Sequence, residues 1–233
     1  MLPTFAAATV TPEVLGRTLR EVGACILKDF PCHDRSFLEQ QVRAWGEPIL
    51  EARNLDGGMV FDVTVDHSAE LPAYASTPYD FDCHTDCAEF TEPPDTVLLL
   101  CEQSAEQGGE SLWVPLDAVI PHLSYETLRQ LQKHQFYFKG HVHSILSLGT
   151  TGEIEARYQP LAFTLNEQLG VWQKTPEQAA ALDEFAHAVA QEVQRFTLAP
   201  GDCFVFHNRR SLHGRTAFQG ARLLKRVRFN FKA

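Results

Sequence analysis

Residues 82–87, Asp-Cys-His-Thr-Asp-Cys, place an imidazole and a carboxylate two positions apart. In an extended strand alternate side chains point to the same side, so His84 and Asp86 can reach one metal ion together. Two histidines and one carboxylate form the usual ligand face of non-haem Fe(II) oxygenases, because this face leaves coordination positions open for a cosubstrate and O2. An H-x-D triplet is common by chance, so a site at this position requires a second histidine.

The strongest candidate for the second histidine is His213, within the sequence Asn-Arg-Arg-Ser-Leu-His-Gly-Arg at 208–215. A strand-like run at 201–208 precedes it and opens after a Pro-Gly turn. Under one interpretation the flanking Cys83 and Cys87 are further ligands. We favour the other, in which they are ordinary small side chains, since a histidine with a carboxylate already makes a coherent iron site.

A row of arginines lies near the C-terminus, in the sequence Ala-Arg-Leu-Leu-Lys-Arg-Val-Arg-Phe at 221–229. Arg222, Arg226 and Arg228 fall on one face of a predicted strand. A buried arginine is costly unless it meets a carboxylate or phosphate, which its planar fork binds in bidentate fashion. A dicarboxylate cosubstrate would supply such a partner.

The composition limits the classes of protein. The chain has 233 residues, 44% of them hydrophobic, which is enough for a sizeable core in one domain. Its net charge of -10 opposes nucleic-acid binding, which needs clustered Lys and Arg. No apolar run approaches membrane-spanning length, and the N-terminus lacks the features of a secretory signal peptide. The six cysteines form no CxxC pair, which predicts reduced thiols and a cytoplasmic protein.

The elements that must position these side chains are mostly short strands with helices around them. Apolar periodicity and capping residues predict helices over 12–22, 34–46, 123–136 and 175–196. Strands are predicted over 24–30, 95–103, 108–116, 199–208 and 221–231. These elements predict one domain over residues 1–233, mainly β with flanking helices (α+β), with a double-stranded β-helix (jelly-roll) core. The N-terminal helical segment, at about 11–47, is expected to pack on the jelly roll.

Several of these patterns together resemble the Fe(II)/2-oxoglutarate-dependent dioxygenases of the taurine dioxygenase/γ-butyrobetaine hydroxylase type, within the clavaminate synthase-like group. The resemblance rests on features that occur in a fixed order: Cys-His-Thr-Asp at 83–86, Gly-Gly-Glu-Ser at 108–111, Pro-Gly-Asp at 200–202, the His213 motif at 208–215 and a downstream arginine. It covers roughly residues 78–120 and the chain from about residue 199 onward. Residues from about 120 to 195 match only in layout.

The resemblance implies a function for several side chains. Metal ligation of Fe(II) is implied for three of them: His84, Asp86 and His213. 2-Oxoglutarate and O2 are the implied cosubstrates. Ser111, where similar enzymes usually have threonine, and Arg222 would hold the far carboxylate of 2-oxoglutarate. The connection from His213 to Arg222 is short for this family, so Arg226 stays open as a rival anchor.

The implied reaction is hydroxylation of an unactivated C–H bond with release of succinate and CO2. Charge predicts a small zwitterionic substrate, such as an amino acid or related amine. Arg226 would bind its carboxylate, and Asp80 or Asp82, in phase with His84, its ammonium group. Desaturation or cyclisation with the same cofactors is an alternative, as are a metal-dependent hydrolase and a non-catalytic jelly-roll binding protein. The sequence leaves the oligomeric state open, a homo-oligomer included.

Overall fold

The structure is a computed structural model that describes residues 2–51, 54, 57–66 and 74–232. These residues form six α-helices: Pro12–Glu21 (α1), Arg35–Trp45 (α2), Leu116–Val119 (α3), Tyr125–Leu131 (α4), Pro160–Gln168 (α5) and Pro176–Glu192 (α6). Short 3-10 turns lie at Tyr74–Ser76 and Ile120–His122. The same residues form seventeen strands: Thr4–Ala6 (β1), Ala24–Lys28 (β2), Gly46–Ile49 (β3), Phe61–Val63 (β4), Phe81–His84 (β5), Thr96–Gln103 (β6), Gln107–Gly108 (β7), Ser111–Pro115 (β8), Phe136–Phe138 (β9), His141–His143 (β10), Leu146–Leu148 (β11), Ile154–Ala156 (β12), Gln194–Phe196 (β13), Cys203–His207 (β14), Ser211–Arg215 (β15), Phe218–Gln219 (β16) and Leu223–Phe231 (β17).

The helix starts follow from capping residues. At α1 the Thr11 side chain accepts a hydrogen bond from the Val14 backbone N–H at 3.4 Å. At α6, Thr175 and Gln178 form a reciprocal capping box. This helix ends at Glu192, four residues before the predicted end at 196, because Gln194–Phe196 instead pairs with β8 as a strand.

The larger sheet has the strand order β1-β2-β14-β6-β17-β3, with β4 also paired to β17. Its neighbours are antiparallel except for β1 and β2. Alternate residues of its central strands point to opposite faces. On β6, Leu98 packs in a buried cluster with residues of helices α1 and α2. The neighbouring Val97 packs in a different buried cluster, on the opposite face of the sheet.

The smaller sheet has the order β13-β8-β15-β5 and is antiparallel throughout. It faces the larger sheet, since Trp113 of β8 lies in one buried cluster with Phe204 and Phe206 of β14. The two sheets stay separate and do not close into a barrel. The predicted fold class is confirmed: a mainly β protein with flanking helices and a double-stranded β-helix core.

Helices cover the outer faces of both sheets. Leu15 of α1 and Leu38 of α2 pack against the larger sheet, which is where the N-terminal helical segment lies. Leu131 of α4 and Phe185 of α6 pack with Leu212 of the smaller sheet. The space between the two sheets is therefore enclosed by sheets whose outer faces are covered by helices. Among the described helices, none is long and apolar enough to cross a membrane.

Strand β5 contains a β-bulge that changes which side chains face the space between the sheets. His84 lies opposite His213, but Arg215 lies opposite Phe81, so β5 has one extra residue between the two pairs. The bulge turns Phe81 toward His84, and the two rings stack with their centroids 3.9 Å apart. The predicted alternation from residue 80 to 86 is therefore interrupted within β5.

This interruption corrects the prediction that Asp80 and Asp82 face the same side as His84. Both aspartates are exposed and line a groove between β5 and helix α6, away from the cavities beside His84. The Asp80 carboxylate accepts a hydrogen bond from the Ala217 backbone N–H at 2.8 Å. Neither carboxylate is positioned to bind the ammonium group of a substrate beside His84.

Gly214 allows β15 to approach this bulge. A Cβ at Gly214 would clash with the backbone carbonyl oxygen of Phe81, which a side-chain movement cannot relieve. We expect Gly214→Ala to lower stability by about 2–3 kcal/mol, or roughly 5–10 °C in Tm, measured by thermal unfolding. The control is Gly149→Ala, whose Cβ would meet the movable end of the Glu153 side chain. Equal Tm values for the two variants would contradict a tight β5–β15 contact.

Candidate active site

Three side chains that the sequence predicts as ligands come together between the sheets. His84 on β5 and His213 on β15 lie directly opposite each other, and Asp86 follows in the turn after β5. The Nε2 atoms of His84 and His213 lie 3.5 and 3.6 Å from the same oxygen, Oδ1 of Asp86. All three side chains are buried, and their ligand atoms lie within 4.8 Å of one another.

Both histidines direct Nε2 toward Asp86 Oδ1, because other contacts fix the orientation of each ring. His84 Nδ1–H donates to the backbone carbonyl oxygen of Asp82 at 2.7 Å, which leaves the Nε2 lone pair free. His213 packs against Phe206 with the ring centroids 4.5 Å apart. Burial, together with the neighbouring His84, lowers the pKa of His213 to about 3. His213 is therefore neutral at pH 7, which is the form that binds a metal ion.

Asn208 fixes the backbone of the turn that carries Asp86. Its Oδ1 accepts from the Asp86 N–H at 2.8 Å, and its Nδ2 donates to the carbonyl oxygens of Asp86 and Pro94 at 3.0 and 2.9 Å. Because Asn208 is fully buried, these bonds are shielded from water. The asparagine thus sets the position of Asp86 relative to the two histidines.

Two arginines hold the carboxylate of Asp86 from the other side. Arg228 Nε donates to Asp86 Oδ2 at 2.7 Å, and Arg226 Nη1 lies 3.5 Å from the same oxygen. Glu51 binds both arginines, at 2.8 Å from Arg226 and 3.1 Å from Arg228. Burial would raise the pKa of Asp86, but the charges of Arg228 and Arg226 outweigh it and hold that pKa well below its usual value. Asp86 is therefore ionised, and its second oxygen, Oδ1, faces the two histidines.

This donor set fits a divalent transition metal ion. It offers two imidazole nitrogens and one carboxylate oxygen on a single side, which is the ligand type and number of a non-haem Fe(II) face. Neither Cys83 nor Cys87 belongs to the cluster. Cys83 instead packs in the core outside the smaller sheet, where burial raises its pKa to about 12.

An inner cavity, which Ser111, Arg222 and Leu224 line, opens directly beside the clustered ligands. Arg222 is 6% exposed, and its guanidinium makes no hydrogen bond or ion pair with the residues that the structure describes. Burial lowers its pKa, and its guanidinium lies 5.5 Å from the centre of the Phe218 ring. A buried arginine without a protein carboxylate is suited to an anionic ligand.

The Gly-Gly pair of the sequence motif has a steric role beside Arg222. A Cβ at Gly109 would lie 3.3 Å from the Cδ and Nε atoms of Arg222, and Gly109 has a positive φ of 70°. The rival anchor, Arg226, also lines the inner cavity, but it is already bound to Glu51. Of the two arginines, Arg222 is the one whose charge is uncompensated within the described part of the chain.

An outer cavity shares five lining residues with the inner one: Ala75, Phe81, His84, Asp86 and Arg226. The further residues that line it come from several segments: Glu51, Tyr74, Cys87, Glu89, Phe90, Lys139, Gln159, Leu161, Ala162, Leu165 and Arg228. Glu51 and the α5 side chains were not predicted from the sequence. No local motif marks them, since they reach the cavity only through the tertiary fold.

Comparison with protein families gives one match over almost the whole chain. The family described as "Taurine catabolism dioxygenase TauD, TfdA family" matches residues 2–228. The dioxygenase str8 of Strobilurus tenacellus is 26% identical over 211 residues, which are 84% of this chain and 49% of that protein. This chain therefore spans about half the length of that curated relative.

Solved structures share the fold. Asparagine oxygenase (AsnO) superposes with a TM-score of 0.79 at 21% identity, over 94% of this chain and 78% of that chain. Its complex with Fe(II), 3-hydroxyasparagine and succinate gives a TM-score of 0.77. The non-haem iron oxygenase OrfP in complex with Fe and alpha-ketoglutaric acid gives 0.71 at 19% identity, over 94% of this chain and 79% of that chain.

Proposed function

Because the chain belongs to the TauD/TfdA dioxygenase family, we propose that it is an Fe(II)- and 2-oxoglutarate-dependent dioxygenase that hydroxylates a small amino-acid-like molecule. The observation that carries the proposal is the convergence of His84, Asp86 and His213, with both Nε2 atoms within 3.6 Å of one carboxylate oxygen. Bound there with 2-oxoglutarate and O2, Fe(II) would supply the chemistry that replaces C–H by C–OH and releases succinate and CO2.

In this proposal the inner cavity holds 2-oxoglutarate. Arg222 binds its far carboxylate through the guanidinium fork, and the Ser111 hydroxyl donates a further hydrogen bond. The support is that both residues line the cavity beside the ligand cluster and that Arg222 lacks a carboxylate partner among the described residues. Arg226 then keeps its place between Glu51 and Asp86.

The outer cavity is the proposed substrate site. Arg226, and Arg228 beside it, would bind the substrate carboxylate, since both line this cavity and the planar fork of a guanidinium suits a carboxylate. The support from relatives is that the AsnO complex contains 3-hydroxyasparagine and an OrfP complex contains 3-hydroxy-L-Arg. We do not retain Asp80 and Asp82 as substrate ligands.

The wider setting is also a proposal. The net charge of -10 and the six free cysteines support a cytoplasmic enzyme that acts on small molecules, and not on nucleic acid or at a membrane. A single domain over residues 1–233 remains our interpretation. The helices α1 and α2, which pack on the larger sheet, support it.

Anaerobic absorption spectroscopy tests the proposed function. Fe(II) and then 2-oxoglutarate are added to metal-free protein, and a visible charge-transfer band that requires both additions is expected. Succinate release that depends on O2 and on an amino acid would complete the test. If no band forms, the dioxygenase proposal fails. Turnover with Zn(II) and without O2 would instead indicate a hydrolase with the same ligands.

Arg228 provides a prediction about the carboxylate ligand. We expect Arg228→Met to weaken Fe(II) binding about 10–100-fold, because Asp86 Oδ2 loses its 2.7 Å partner and the carboxylate can rotate. The measurement is a competitive Fe(II) titration against a chromogenic chelator. Arg210→Met is the control, since Arg210 pairs with Asp117 away from the ligand cluster. Unchanged affinity in Arg228→Met would refute its role in orienting Asp86.

A further inference from the structure

We propose that the substrate of the outer cavity is an amino acid with an uncharged, apolar side chain, which packs against helix α5. This inference rests on the proposed function and specifies the substrate class of the same site. Two independent features of the cavity carry it: the apolar surface on one wall and, among the described residues, the pairing of each charged side chain of the lining with a group of opposite charge.

The apolar wall is formed by helix α5 and Phe90. Leu165 lies four positions after Leu161 and three after Ala162, so it shares a helix face with each of them, and all three line the cavity. Leu165 and Phe90 are 45% and 43% exposed although they are large apolar side chains. Exposed apolar side chains that line one cavity are typical of a surface that a ligand covers.

The charged side chains of the lining already compensate one another. Glu89 is bound by Lys139 at 2.7 Å, and Glu51 is bound by Arg226 and Arg228. With Asp86, the described lining has three carboxylates and three cationic side chains. A guanidinium or ammonium tail would find no uncompensated carboxylate there, and a carboxylate tail would lose its hydration without a free cation of its own.

The amide of Gln159, beside the apolar wall, defines the main rival. The Oε1 atom of Gln159 is buried and makes no hydrogen bond with the described residues. An amide tail would have Gln159 as its partner, so asparagine and glutamine form a separate arm of the test. The apolar surface of α5 and Phe90 is larger than this single group, and we therefore favour an apolar tail.

Amino-acid titration of the anaerobic Fe(II)–2-oxoglutarate protein tests the inference, with the perturbation of the charge-transfer band as the signal. Leucine, methionine and phenylalanine are expected to bind about tenfold or more tightly than arginine, lysine, aspartate or glutamate. They should also bind more tightly than asparagine and glutamine. Tighter binding of any charged or amide amino acid would overturn the inference.

A pair of variants tests whether the side chain of the substrate packs against helix α5. Leu165→Glu is expected to weaken leucine binding about tenfold, because it places a charge on the apolar wall. Leu169→Glu is the matched control, since Leu169 lies one turn further along, is 74% exposed and does not line the cavity. Both variants should keep the charge-transfer band. Equal leucine affinities in the two variants would overturn the assignment of α5.

The outcomes separate the two proposals. A band that no amino acid perturbs would overturn the apolar-substrate inference and leave the dioxygenase proposal standing. Absence of the band in the unmodified protein would overturn the dioxygenase proposal, and the inference that rests on it would fall as well.

Discussion

His213→Ala is expected to remove stable Fe(II) binding and to reduce turnover below detection. His213 supplies one of the three atoms that converge on a single point, and its Nε2 lies 3.6 Å from Asp86 Oδ1. Removal of a residue that hydrogen-bonds to a metal ligand lowers metal affinity about 10–100-fold, so removal of the ligand itself should lower it by more than that. Iron content after anaerobic reconstitution and the intensity of the charge-transfer band are the measurements.

His207→Ala is the matched control for this experiment. His207 ends the preceding strand β14, is only partly exposed and has its pKa lowered to about 4 by burial, but it does not belong to the ligand cluster. The control should retain iron and the band. Unchanged iron content in His213→Ala, with the fold intact by circular dichroism, would rule out His213 as a ligand.

Arg222→Met is expected to raise the 2-oxoglutarate concentration needed for half-saturation by about 100-fold or more. Truncation of one partner of a buried charge pair costs about 2–5 kcal/mol, and each 1.4 kcal/mol is about tenfold in affinity. The chelating end of 2-oxoglutarate does not contact Arg222 in this scheme, so the band should return at high concentration. Ser111→Ala should have a smaller effect in the same direction, about tenfold.

Arg226→Met distinguishes the rival anchor. Arg226 is bound to Glu51 at 2.8 Å, so its removal should destabilise the protein by about 1.5–3 kcal/mol, because Glu51 loses this charged hydrogen bond while Arg228 remains at 3.1 Å. Its effect on 2-oxoglutarate affinity should remain small. If Arg226→Met shifts the 2-oxoglutarate titration and Arg222→Met does not, the two assignments must be exchanged.

Much of the fold could be predicted from local sequence. Capping residues and apolar periodicity placed α1, α2, α4 and α6, and the apolar run at 95–103 became the central strand β6. Helix α4 ends at Leu131, five residues before the predicted end at 136, and Phe136 instead begins strand β9. The family match over residues 2–228 confirms the resemblance that the motifs indicated. These features depend on residues close in the chain, so they are visible without tertiary information.

Other features depend on contacts between distant segments. The positions of Asp80 and Asp82 were predicted wrongly because the bulge belongs to the pairing of β5 with β15 and not to β5 alone. Glu51 lies in a segment without a motif, yet it determines which arginines are already paired. The choice between Arg222 and Arg226 could therefore not be made from their spacing.

The position of β5 at the margin of the smaller sheet has a consequence for dynamics. In the described part of the chain β5 pairs only with β15, so its other side lacks a strand neighbour and it can fray. A metal ion held by His84 and His213 would act as a cross-link between this marginal strand and its inner neighbour. Amide hydrogen exchange in β5 should then report metal occupancy, while exchange in the central strand β6 should not respond.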